Sequence, residues 1–237
     1  MYTLFFVAPE DISQELIKLV GPQAHHATAV LRVQIAEMIR LADGSGNWIE
    51  GEVIEVAKDF LTVKVKNRGS DREPKVHITL AQALLKGDNQ KAALDHLVQA
   101  GVETIIPWQA DHSVASIDKS EKWREVVIAA ARQSRRARIP HVAPMSDLSA
   151  LIGMRASFDT VIALHESAVQ SLSTVKELAT AKKLLVIVGP EGGLSNQELD
   201  QLMKSEIPLV KLGDPVIRAD LAGAIALGGL QVLIGEW

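Results

Sequence analysis

Apolar residues follow two regimes along the chain. Up to about residue 70 they come in short stretches broken by turn residues. Beyond Val76, unbroken apolar runs alternate with segments of helical spacing. In the first regime residues 2–7, 37–41, 48–56 and 60–66 read as strands, with Asp43-Gly44-Ser45-Gly46 as a hairpin turn. A short helix is expected over 25–31. Several short strands joined by turns predict a small barrel. Asn67-Arg68-Gly69-Ser70-Asp71-Arg72-Glu73-Pro74 is polar and closes on a proline, which separates a domain 1–70 from a domain 74–237.

The second regime alternates strand with helix. Strands are expected over 76–81, over 104–107 (ended by Pro107) and over 160–164. A helix over 88–100 stops at Gly101, a long one covers 121–136, and the very apolar, Ala- and Gly-rich residues 220–237 form a last buried helix. This order predicts an α/β domain with a mostly parallel sheet, which periodicity alone would make doubly wound.

The sharpest local signal is Leu184-Leu185-Val186-Ile187-Val188 running into Gly189-Pro190-Glu191-Gly192-Gly193-Leu194-Ser195. A strand buried on both faces meets a loop whose glycines let backbone N–H groups approach a ligand. Ser195 and Glu198 have capping-box spacing, so a helix opens there with Leu199, Leu202 and Met203 on its buried face. No Lys-Ser or Lys-Thr follows, and G-x-G-x-x-G is absent, which argues against a nucleoside triphosphate or a dinucleotide. Glu191 would repel phosphate and suits hydroxyls, an amino group or an adenine edge. About twenty residues on, one strand–helix–strand step, Val210-Lys211-Leu212-Gly213-Asp214-Pro215-Val216-Ile217-Arg218 repeats the strand–glycine–helix form, and His165-Glu166 follow a third strand. Such strand ends are where open α/β sheets bind ligands.

Composition permits this picture. The chain has 237 residues, 47% of them hydrophobic, and no cysteine, so disulfides and thiolate metal sites are excluded. The N-terminus lacks a secretory pattern and no run approaches the roughly 20 apolar residues of a bilayer span. His25 and His26 are adjacent, no H-E-x-x-H occurs, and no metal is expected. The net charge is −4, yet seven Lys and Arg face two Glu between Lys119 and His141. That run is either a solvated face or a phosphate-contacting patch, and its density favours the patch.

The series Leu164-His165-Glu166, Val188 to Ser195 and Leu212-Gly213-x-x-Val216-Ile217-Arg218 resembles the RsmE family. The likeness extends through Leu4-Phe5-Phe6-Val7, His26 with Val30-Leu31-Arg32, Asp43-Gly44, Lys86-Gly87-Asp88, Gly101-Val102, Ile105-Ile106-Pro107 and Gln133-Ser134-x-Arg136 with Ile139-Pro140. The resemblance implies a PUA-like RNA-binding β-barrel over 1–70, and over 74–237 a SPOUT-type methyltransferase domain with a C-terminal trefoil knot. It also implies a cytoplasmic homodimer that methylates N3 of one uridine of 16S ribosomal RNA, in the decoding region near its 3′ end in the small ribosomal subunit. The implied methyl donor is S-adenosylmethionine, held by Leu164, His165 and Glu166, by Val188, Gly189, Pro190, Glu191, Gly192 and Gly193, and by Leu212, Gly213, Val216, Ile217, Arg218 and Ala222. Leu164 and Ile217 would sandwich the adenine.

Arg218 is the first candidate to stabilise the uracil anion, with pairing to Asp220 or Asp214 as the competing structural reading. Arg136 is the second, and Glu166 is a weak candidate for the proton acceptor. RNA contacts are expected from Arg32, Lys86, Arg132, Arg135, Arg136 and Arg138. The chain departs from the family pattern at Asp220 and Leu221, at Asp95, His96, Gln99 and Ala100, and at Arg132. Two other classes stay open: an RNA-binding module without catalysis, and a SPOUT or doubly wound enzyme with another nucleotide or RNA target.

Overall fold

The computed structural model describes residues 2–113 and 120–237, without the side chains of Ser120 and Glu121. Lys119 of the basic run therefore lies outside the described residues. The chain forms two compact units, Met1–Glu73 with Ala131–Ile139, and Pro74–Ala130 with Pro140–Trp237.

The first unit is a five-stranded sheet of β1 (Thr3–Phe6), β2 (Leu16–Val20), β3 (Met38–Ala42), β4 (Asn47–Val56) and β5 (Phe60–Ser70), in the order β1-β3-β4-β5-β2. Alternate residues Ile39 and Leu41, Ile49 and Val53, and Leu61 and Val63 close on Phe5 and Ile17 as its core. Asp43 ties the β3–β4 turn by accepting the backbone N–H of Ser45 at 2.7 Å and of Asn47 at 3.1 Å. β2 was not anticipated, because Leu16-Ile17-Lys18-Leu19-Val20 puts apolar residues on both faces. The helical stretch begins earlier than expected, as α1 (Gly21–His25), and continues as a π-turn over His26–Val30. Of the polar residues 67–74 expected to form a linker, the first four instead extend β5, with Gly69 opposite Trp48 and Ser70 opposite Asn47.

The second unit is an eight-stranded sheet of β6 (His77–Ala83), β7 (Thr104–Gln109), β8 (His141–Val142), β9 (Ser146–Asp147), β10 (Thr160–Leu164), β11 (Gln170–Ser171), β12 (Lys183–Val188) and β13 (Leu209–Lys211). Its order is β11-β13-β10-β12-β6-β7-β8, with β9 also on β7, and every described pairing is parallel. The helices are α2 (Asp88–Gln99), α3 (Ser120–Gln133), α4 (Leu148–Gly153), α5 (Asn196–Lys204) and α6 (Ala219–Leu233). Gly223 of α6 sits so close to α2 and the sheet that a Cβ there would meet Leu97 at 2.8 Å and Leu80 at 3.0 Å. No described helix is long and apolar enough to cross a membrane.

Three local expectations are corrected. Pro107 does not end β7, which runs to Gln109. The outer neighbours pair only at Thr104 and Ile105 and again at Trp108 and Gln109, so the proline sits in a gap on that side. α3 ends at Gln133 rather than 136, because Arg135 turns to φ +59° and the Arg136 N–H bonds back to the Ala131 carbonyl at 2.9 Å. The following residues join the first unit: the Ala137 N–H donates to Asp71 at 3.2 Å and that of Ile139 to the Gly44 carbonyl at 2.9 Å. The domains drawn from the sequence are 1–70 and 74–237, whereas the first compact unit also takes in Ala131–Ile139. Met203 is 56% exposed rather than buried, because Leu202 takes the inward position of α5.

Candidate active site

The carboxyl ends of β10, β12 and β13 open on one cavity of about 360 Å³. Leu164, His165 and Glu166 line it from β10, the run from Val188 to Leu194 lines it from β12, and Val210 to Gly213 with Pro215 to Ala219 line it from β13, with Ala222 of α6 beside them. Each residue that the family resemblance assigned to donor binding thus lies on this wall. Leu164 and Ile217 supply apolar surface, and Val216 is 78% exposed at the rim.

Short-range chemistry shapes the β12 loop. Gly193 adopts φ +72°, which disfavours any side chain, and its N–H closes a turn on the Pro190 carbonyl at 3.0 Å. A Cβ on Gly192 would lie 3.0 Å from that of His112. The capping box forms as the spacing predicts: the Ser195 N–H donates to Glu198 Oε2 at 2.7 Å and the Glu198 N–H to Ser195 Oγ at 3.1 Å. Glu198 is almost fully buried, and its other oxygen accepts the Asp111 N–H at 2.9 Å.

Sequence reasoning missed the side chains that hold this loop from elsewhere. The buried Trp108 donates from Nε1 to the Val188 carbonyl at 3.0 Å. His112 Nδ1 lies 3.1 Å from the carbonyl oxygens of both Gly192 and Gly193, so it carries the proton there. Asn89 donates to Glu191 Oε1 at 2.9 Å and accepts from Arg218 Nη2 at 3.1 Å. These contacts span some 80 to 130 residues of chain. The only local cue was that Asn89 follows Lys86-Gly87-Asp88.

Two acidic and basic candidates are more engaged than expected. Glu191 also accepts the Lys86 N–H at 3.1 Å. Burial pushes its carboxyl up, but the hydrogen bonds from Asn89 and backbone N–H groups and the Arg218 charge outweigh this and hold it below the usual range. Arg218 pairs with Asp220, from Nε at 3.1 Å and from Nη2 at 3.3 Å, so the structural bridge weighed from the sequence is present. Its side chain is nonetheless 72% exposed. His165 Nδ1 accepts the Ser167 N–H at 3.2 Å, and Glu166 is exposed with no hydrogen bond among the described residues.

Arg136 does not line the cavity; it belongs to the first unit, half-buried beyond the end of α3. Arg32, Arg132, Arg135 and Arg138 lie in that unit too, whereas Lys86 lies in the second. Arg32 and Arg135 are exposed at positive φ. Arg138 pairs with Glu73 at 2.8 Å and covers Gly46, where a Cβ would come within 2.7 Å of it. His26 packs edge-on against Phe5 with ring centroids 6.5 Å apart. Burial, then the charges of Arg132 and His25, hold its imidazole below the ordinary 6.5. No cluster of three metal-ligating side chains occurs among the described residues.

Comparison with known proteins decides the family. Residues 72–231 match the RNA methyltransferase domain and residues 19–66 the RNA methyltransferase PUA domain. Ribosomal RNA small subunit methyltransferase E of Mycobacterium bovis is 33% identical over 244 residues, covering 99% of this chain and 93% of that protein. The chain belongs to the ribosomal RNA small subunit methyltransferase E family. The member from Bacillus subtilis is 28% identical and covers 90% of this chain and 88% of its own. A member from Neisseria gonorrhoeae, crystallised with S-adenosylmethionine, superposes with TM-score 0.89 at 25% identity over 98% of both chains. The mostly parallel sheet and the PUA-like unit are thus those of SPOUT methyltransferases of the ribosomal RNA small subunit methyltransferase E family.

Proposed function

We propose that this chain transfers the methyl group of S-adenosylmethionine to N3 of a uridine of 16S ribosomal RNA, in the decoding region near its 3′ end. The observation that carries this reading is the convergence of three separate strand ends on one cavity. The residues present fit that donor. Leu164 and Ile217 offer apolar walls to a purine, the main chain of Gly189, Gly192 and Gly193 at the wall offers hydrogen bonds, and Glu166 and Glu191 suit a cationic ligand. The basic side chain nearest the β13 strand end, Lys211, is paired with Asp214 at 3.1 Å, so no phosphate cradle is formed there.

The donor when bound supplies an electrophilic methyl group on a positively charged sulfur. The loops hold that group in line with the acceptor nitrogen, which removes much of the entropic barrier. N3 of uridine gives up its proton, for which Glu166 is the candidate acceptor, and Arg218 holds the charge left on the uracil carbonyl. Arg136 and Glu166 are the further candidates, Glu166 as an exposed carboxylate at the cavity wall.

The PUA-like unit binds RNA through Arg32, Arg132, Arg135, Arg136 and Arg138, with Lys86 contributing from the second unit. The enzyme works in the cytoplasm as a homodimer. Leu221, Ile225 and Val232 support the pairing: they are 40%, 40% and 63% exposed and share one stripe of α6, while Ala222, Ala226, Leu227 and Leu230 face inward. The C-terminal segment threads a trefoil knot. Supporting this, β13 is inserted between β10 and β11, which are joined only by residues 165–169.

The test is mass spectrometry of small-subunit RNA from cells with and without this gene, with calorimetry of the purified protein and S-adenosylmethionine. One N3-methyluridine lost with the gene, and saturable heat, are expected. Unchanged RNA, or no heat at high donor concentration, would overturn the reading.

A further inference from the structure

Asn89 stands in the first turn of α2 with two partners of opposite charge. Its Nδ2 donates to Glu191 of the β12 loop and its Oδ1 accepts from Arg218 of the β13 segment. A primary amide has one donating and one accepting end, so it can bridge an anion and a cation, whereas a carboxylate or an ammonium could serve only one side and an alkyl group neither.

The donors of Arg218 can be accounted for individually. A guanidinium has five N–H groups. Asp220 takes Nε and one hydrogen of Nη2, and Asn89 takes the other hydrogen of Nη2. Nη1 makes no hydrogen bond among the described residues, and the side chain is 72% exposed. The same helix also touches the main chain of the residue that pairs with the arginine. Two turns beyond Asn89, His96 Nδ1 lies 3.2 Å from the Asp220 carbonyl oxygen, an acceptor, so the ring donates there. Asn89 and His96, seven positions apart, share one face of α2.

We propose that Asn89 is a positioning residue: it aims Nη1 of Arg218 at the acceptor base and ties that aim to the β12 loop through Glu191. The assignment rests on the methyl-transfer reading above and deepens it. Arg218 would meet a uracil carbonyl with the one nitrogen its neighbours leave free. Glu191, itself on the donor cavity, makes that orientation sensitive to the shape of the donor loop.

The test uses the full-length protein with small-subunit RNA, measuring kcat and both KM values for Asn89→Ala, Asn89→Asp and Asn89→Ala in an Arg218→Ala background. Thermal melts confirm that each variant is folded. Asn89→Ala is expected to lower kcat about tenfold with the donor KM within about twofold, as for loss of a hydrogen bond to a charged group. Asn89→Asp keeps the acceptor toward Arg218 but sets a carboxylate against Glu191. It should lose less kcat than Asn89→Ala and raise the donor KM more. In the Arg218→Ala background Asn89→Ala should cost nothing further, because the residue it positions is gone. Equal losses of kcat with and without Arg218, or an aspartate variant as slow as the alanine one, would overturn the assignment. Absence of methyl transfer by the parent chain would remove the underlying reading and the assignment with it.

Discussion

The cavity of the second unit and the basic surface of the first are built from different materials. The cavity wall combines the glycine-bearing ends of β12 and β13, their course fixed by a few hydrogen bonds, with apolar side chains such as Leu164 and Ile217. The basic surface is made of long side chains at the end of α3 and in the turn after it, and one of them, Arg138, also pairs with Glu73 beside Gly46. A site built on such strand-end loops is preorganised by the fold and tolerates few changes of conformation. A surface made of arginines acts mainly through charge, so its effect is graded and depends on salt. The two should therefore fail differently when altered.

Arg218→Ala gives the largest expected effect, because it removes the one charged side chain of the cavity assigned to the transition state. Loss of such a donor lowers kcat by about 10² to 10³, on the order of 3 to 4 kcal/mol. Donor affinity should change little, since Arg218 is held by Asp220 and Asn89 rather than by the apolar wall. Single-turnover methylation alongside calorimetry separates the two quantities. A fall in donor affinity as large as the fall in rate would make Arg218 a binding residue.

Gly193→Val tests the backbone side of the contrast. Gly193 has φ +72° with open space around its Cα, so a side chain would meet strain rather than a clash. Left-handed backbone costs a β-branched residue roughly 1 to 2 kcal/mol. If the loop relieves that strain by moving, donor affinity should fall about tenfold while RNA affinity stays unchanged. Calorimetry with the donor and a filter-binding assay with RNA read the two outcomes. Equal loss in both would show that cavity and basic surface are not independent.

The same contrast explains what was legible in the sequence. The capping box of Ser195 and Glu198, the turn around Gly193 and the strand ends at Leu164 and Val188 depend on neighbours a few residues away, so spacing revealed them. Asn89, Trp108 and His112 act on loops about a hundred residues distant, and no local pattern announces which loops the sheet brings together. The resemblance offered Arg218 a uracil carbonyl and the sequence a pairing with Asp220 or Asp214, but neither told that Asp220 and Asn89 would hold it while leaving Nη1 free. β2 escaped notice because both of its faces are apolar, and α3 was drawn too long because its basic residues continue past the point where Arg135 reverses the chain. Pro107 misled for a related reason: whether a proline ends a strand depends on the neighbouring strand's length, which lies outside the segment itself.

Charge reversal at Arg132 and Arg135 should be milder than either change in the cavity. Removing one cationic partner of a phosphate flattens the dependence of log affinity on log salt by about 0.7 to 0.9. The double variant should therefore bind RNA severalfold more weakly near physiological salt, converge with the parent at high salt, and bind the donor normally. An unchanged salt slope would return this run to an ordinary solvated surface.

The smallest effect lies beneath that surface. His26 is held below its ordinary value first by burial and then by the charge of Arg132, so the folded protein takes up its proton at lower pH than the unfolded chain. Such a group contributes stability above pH 6.5 that is lost as pH falls through the interval down to its folded value. Arg132→Gln removes one of the two charges that oppose protonation and leaves burial in place. The His26 titration followed by NMR should move upward part of the way toward 6.5, and the interval of lost stability should narrow with it. High salt should shrink the shift more in the parent than in the variant, because only the parent has an arginine charge there to screen. If the titration stayed where it was, Arg132 would be pointing its charge away from the histidine, toward solvent and any phosphate that approaches.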